Sequence, residues 1–107
     1  MLKDTHTEPT VGIVEPHTVK LNLPPGGFRF EKGGVLTEIE VAYERCGAIR
    51  PENDNVVFIC HALTGDAHVV GMRPGETEPT GWWEGMIGPG KGVDTDHYQV
   101  VCANILG

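Results

Sequence analysis

Serine is absent from the 107 residues, so nothing in this chain can act as a serine nucleophile. Positive charge is scarce: eight Lys and Arg against fifteen Asp and Glu leave a net charge of −7, and the cations are scattered. That excludes the electropositive footprint that nucleic acid or anionic lipid requires. No apolar run approaches the ~20 residues of a bilayer crossing, and the start, MLKDTHTEPT, lacks the positive, then apolar order of a secretory signal. The expectation is a cytosolic protein with no membrane and no nucleic-acid partner. The three cysteines, Cys46, Cys60 and Cys102, are odd in number, far apart and without CxxC spacing. They read as reduced thiols, neither a disulfide framework nor a metal site.

What is present is 39% hydrophobic and 21% charged, with 15 Gly and 8 Pro, the make-up of one small soluble globular domain. Residues 1–18 read as a flexible N-terminal arm, without helical or strand periodicity; residues 19–107 read as the folded portion. In LNLPPGGFRFEKGGVLTEIEVAYERCG, the turns PPGG and KGG separate short alternating segments, with Ile39, Val41 and Tyr43 on one side. An antiparallel hairpin with one wet face is expected. RPENDN (50–55) is a turn. VVFIC, apolar on both faces, suits a parallel strand covered on both sides, and YQVVCAN repeats the pattern. A right-handed crossover fits between them, with GWWEGMI as its one candidate short helix. Antiparallel strands lead into parallel core strands: an α/β domain begun and not finished. The apolar ending VVCANILG fits the same expectation, a first part of something longer.

The junction VVFIC-HALTGD is the most informative stretch. A buried parallel strand ending in a tight loop places backbone N–H groups at the carboxyl edge of a sheet, where open α/β folds bind ligands. Such groups can hold a developing oxyanion, and in α/β-hydrolases one donor comes from the loop after the third strand. HALTGDAH, followed by GWWEGMIGPGKGVDTDHYQVVCANILG, closely resembles the N-terminal part of the homoserine O-acetyltransferases, from about Val19 onward. The resemblance implies an incomplete α/β-hydrolase fold, and acetyl transfer from acetyl-CoA, as co-substrate, to the hydroxyl of L-homoserine in methionine biosynthesis. It further implies no bound cofactor, no metal and a homodimer as the assembly to test for. The family's Ser, Asp and His lie beyond the matched residues, so no triad member is placed here. What carries over is the loop: Leu63 as the backbone oxyanion donor, with His61, Ala62, Thr64, Gly65 and Asp66 shaping it.

Plainer readings stand beside these. His61 serves more simply as a structural ring bonded to loop backbone. A Cys60-His61 dyad is disfavoured because neighbours on a strand point to opposite faces. His61, Asp66 and His68 lack zinc-ligand spacing, and the last two read as residues ordering the turn. GMIGPGK (85–91) mimics a phosphate loop but has Gly92 where Ser or Thr is needed and no strand before it. Trp82 and Trp83 are packing residues first, Asp94–Asp96 a solvated turn or a helix start before the strand, and Cys46 and Cys102 small buried hydrophobes. Two other functions remain open: a sister acyltransferase using succinyl-CoA or L-serine, or an esterase; and a noncatalytic binding module.

Overall fold

The computed structural model describes residues 9–105, organised around one four-stranded mixed sheet. Its members are β1 (Pro16–Lys20), β4 (Glu40–Gly47), β5 (Val56–Ile59) and β8 (Gln99–Ala103), in the order β1-β4-β8-β5. β4 pairs antiparallel with β1 and with β8, while β5 and β8 run parallel. The parallel pairing is the one expected of VVFIC and YQVVCAN. The remaining strands are four two-residue pieces in two pairs: β2 (Phe28–Arg29) with β3 (Val35–Leu36), and β6 (Ile87–Gly88) with β7 (Val93–Asp94).

The antiparallel region departs from expectation in its partner. The alternating segment does form β4, but it pairs with β1, register Val19↔Val41, and the glycine turns close only the small β2–β3 ribbon. A strand of all-exposed residues, PHTVK, carries no apolar period by which sequence could reveal it. The arm expected over residues 1–18 therefore contains Pro16–Thr18 of β1 and the buried Val14, whose N–H donates to the Met72 carbonyl at 2.7 Å. Residues 1–8 of it lie outside the described residues.

The connection from β5 to β8 is long and contains no helix. GWWEGMI forms consecutive turns, closed by Glu84 N–H to Gly81 O at 3.3 Å and Met86 N–H to Trp83 O at 3.0 Å, while its first N–H groups bond outward, Trp82 to His68 O at 3.3 Å and Trp83 to Val69 O at 2.8 Å. This connection lies over one sheet face and makes the core, Ile59, Val69, Val70, Ile87, Val100 and Cys102. The opposite face is bare. Phe58 is 59% exposed and Val56 43%, so β5, read as covered on both sides, is the outermost strand with one covered face among the described residues. No helix among them is long and apolar enough to cross a membrane.

The turn at 50–55 ties the sheet's end together. Asn53 adopts φ 50, as its residue type tolerates. The Asn55 side chain donates to Ala48 O at 2.6 Å and His97 O at 2.9 Å, and Gln99 donates to both Asn53 and Asn55 Oδ1. These buried amides are satisfied, which is the condition for placing them inside.

Candidate functional site

β5 ends at Ile59, and the chain leaves the sheet through exposed Cys60 into a tight turn. Gly65 N–H closes the turn onto Ala62 O at 2.8 Å, placing Leu63 and Thr64 at its tip. Leu63 is 88% exposed, and among the described residues its N–H has no acceptor. Glycine suits position 65 because a Cβ there would stand 3.2 Å from His61 Cβ and 3.3 Å from Ala62 O. The His61 ring turns back on the loop, Nδ1 lying 2.7 Å from Ala62 O, so it meets backbone as the plainer reading expects. Its Nε2 is buried and has no partner among the described residues.

Asp66 joins this turn to the next segment. Its Oδ1 accepts the His68 N–H at 2.9 Å, its Oδ2 pairs with Arg73 at 3.0 Å, and its carbonyl accepts Trp82 Nε1–H at 2.9 Å. Trp82 stacks on Trp83 with ring centroids 5.8 Å apart, so the indole pair braces the loop while remaining about two-fifths exposed. The following N–H, of Ala67, donates to Asn104 Oδ1 at 2.8 Å, just past β8.

Behind Asp66 lies a buried polar chain. His68 Nδ1 sits 2.7 Å from Glu44 Oε1 on β4, both side chains being less than a tenth exposed. On the other side, Nε2 is 2.9 Å from Thr80 Oγ1, which donates to Glu76 Oε1 at 2.7 Å. The order Glu, His, Thr has the outline of a nucleophilic triad. It does not work as one, because Thr80 already gives its single proton to Glu76. Glu76 is held below the usual carboxylate range chiefly by the Arg73 N–H, then by this hydroxyl. A cleft of about 170 Å³ opens over the chain, lined in part by Tyr43, Glu44, Asp66, His68, Arg73 and Asn104. Asp66 is shared by turn and cleft; Leu63 and Thr64 do not line it.

The remaining sequence candidates resolve simply. Lys91 Nζ donates to its neighbour's carbonyl, Glu84 O, at 2.9 Å and pairs with Glu84 Oε2 at 3.6 Å, so the phosphate-loop look-alike spends its lysine internally. No cluster of metal-ligating side chains occurs among the described residues. Burial, with Glu44 and Glu84 nearby, pushes the Cys46 thiol up to about 11, and burial raises Cys102 as well. Asp94 accepts the Gly90 and Asp96 N–H groups, which hold its carboxyl below the usual range. Glu44, Thr80, Arg73 and Asn104 were not singled out by sequence. Glu44 continues the polar side of an alternating strand, and only the folded connection shows that this side is covered.

No protein-family profile matches the chain. It is 50% identical over 98 residues to a homoserine O-succinyltransferase of Nocardioides sp., covering 92% of this chain and 26% of that protein. It is 46% identical over 101 residues to a homoserine O-acetyltransferase of Methanohalophilus mahii, covering 94% of this chain and 20% of that one. Among solved structures it superposes on the homoserine O-acetyltransferase of Bacillus anthracis with a TM-score of 0.72 at 35% identity, over 86% of this chain and 23% of that one. A crystallised esterase matches with a TM-score of 0.73 at 28% identity, over 87% of this chain and 24% of its own. The chain thus spans about a quarter or less of the relatives it matches, and within that span it has the strand arrangement of the α/β-hydrolase fold. In sequence and fold it resembles a part of the homoserine O-acetyltransferases.

Proposed function

We propose that these 107 residues form part of a homoserine O-acyltransferase that moves an acetyl group from acetyl-CoA to the hydroxyl of L-homoserine, serving methionine biosynthesis in the cytoplasm. The observation that carries the reading is the turn at the end of β5: a strand of a mixed sheet delivers an exposed tip, Leu63, whose N–H has no acceptor among the described residues. With no serine in the chain, the nucleophile belongs to residues outside these 107. Attack of that serine on the thioester carbonyl creates a tetrahedral oxyanion, and a fixed N–H within reach stabilises it; losing one such donor typically lowers the rate by ~10²–10³. The acyl-enzyme then reacts with homoserine in preference to water only where the acceptor hydroxyl is positioned and water excluded. No cofactor or metal enters this chemistry, and a homodimer is the assembly to look for.

A succinyl donor is the second reading, favoured by the succinyltransferase name of the 50% identical relative. The test uses the longer protein containing this segment, supplied with acetyl-CoA or succinyl-CoA, with and without L-homoserine. CoA release that depends on homoserine and is faster with acetyl-CoA is expected. Faster release from succinyl-CoA moves the assignment to the second reading, and release indifferent to homoserine removes both in favour of a hydrolase.

A further inference from the structure

We infer that His68, clamped to Glu44, is a positioning residue that holds the turn at residues 61–66 in place against the sheet; the consequence for catalysis rests on the function proposed above. The segment leaving β5 has little backbone pairing of its own, Gly65 N–H to Ala62 O being the bond that closes the turn. Its position is set by side chains. Asn104 takes the Ala67 N–H, Trp82 takes the Asp66 carbonyl, and His68 reaches Glu44 in the sheet interior. The third tie has the greatest consequence, because Glu44 and His68 are 6% and 3% exposed and each satisfies the other's buried polar atom. From the ring the connection is continuous: His68 N–H donates to Asp66 Oδ1, and Asp66 directly follows Gly65. Glu44 is itself fixed, opposite Pro16 of β1 and Cys102 of β8. A group held by β4 therefore sets the position of the Leu63 N–H, five residues before Glu44's partner His68 along a different stretch of chain. Displacement of an oxyanion donor by about 1 Å is enough to cost on the order of 10²-fold in rate.

Two substitutions in the longer protein separate clamping from packing. Asparagine places its amide nitrogen near the position of Nδ1 and keeps the donor to Glu44; glutamine reaches toward Nε2 and loses it. His68→Gln is expected to lower kcat, per folded enzyme, about 10- to 100-fold. KM for homoserine and acyl-CoA should stay within about twofold, and amide hydrogen exchange in residues 61–66 should accelerate. His68→Asn is expected to remain near the parent on both readouts. Unchanged exchange in His68→Gln, or equal losses in both variants that track only the folded fraction, overturns the clamp. Accelerated exchange with unchanged kcat upholds the clamp and overturns instead the role given to Leu63.

Discussion

At Gly81 a single hydrogen decides whether the connection can close: an added Cβ would lie 2.2 Å from Val70 Cα and 2.4 Å from its nitrogen, both backbone atoms. Neither can yield without moving the core residue Val70. Gly81→Ala is expected to destabilise the fold by about 3 kcal/mol or more, read as a fall in the urea midpoint. Burial of Cys46 makes stability depend on pH. Its folded thiol ionises near 11 against an ordinary 9.0, so the folded state holds the proton more tightly than the unfolded one. That contribution is full below pH 9 and is lost as pH rises toward 11, a loss on the order of 2 kcal/mol. Stability measured across this window should fall in the parent and flatten in Cys46→Ala. Residue identity was readable where chemistry is local: HALTGD announced a glycine-closed turn, and His61 does meet its own loop backbone. Glu44 was not readable, since a carboxylate in an alternating strand looks solvated until a distant histidine covers it.

Among the elements, the two apolar strands were legible because parallel core strands have a composition of their own, and β5 and β8 do pair in parallel. β1 was not, because an exposed edge strand is fixed by the backbone groups of β4 and by no side-chain period. The candidate short helix at GWWEGMI does not form: its internal bonds stop at single turns, Glu84 N–H to Gly81 O and Met86 N–H to Trp83 O, and Gly85 in its middle is a poor helix former. β5 carries its own prediction. It is the outermost strand of the sheet, with Phe58 59% exposed on the uncovered face and one row of backbone groups unpaired among the described residues. Such an edge recruits other strands. Expressed alone, these 107 residues should self-associate, and Phe58→Lys should shift the sedimentation profile toward monomer. A monodisperse monomer with a cooperative thermal transition from the unaltered chain would favour a free-standing binding module.

For the molecule as a whole, the radius of gyration is 16.7 Å, against about 13 Å for a compact domain of this length. Its extents of 63 × 31 × 22 Å describe a plate with one dressed face. The plate fixes a loop: sheet, buried Glu44–His68 pair and indole brace all converge on Asp66, beside the turn that displays Leu63. The α/β class and this loop were accessible to sequence, whereas the clamp that holds the loop depends on contacts between residues 24 positions apart. The proposed chemistry depends on the Leu63 N–H stabilising an oxyanion. The most direct measurement replaces leucine 63 by its α-hydroxy acid in the longer protein, exchanging that N–H for an ester oxygen while keeping the side chain. A fall in kcat of ~10²–10³ with KM nearly unchanged is expected; a kcat equal to that of the parent, in a folded enzyme with a verified ester at that position, contradicts it.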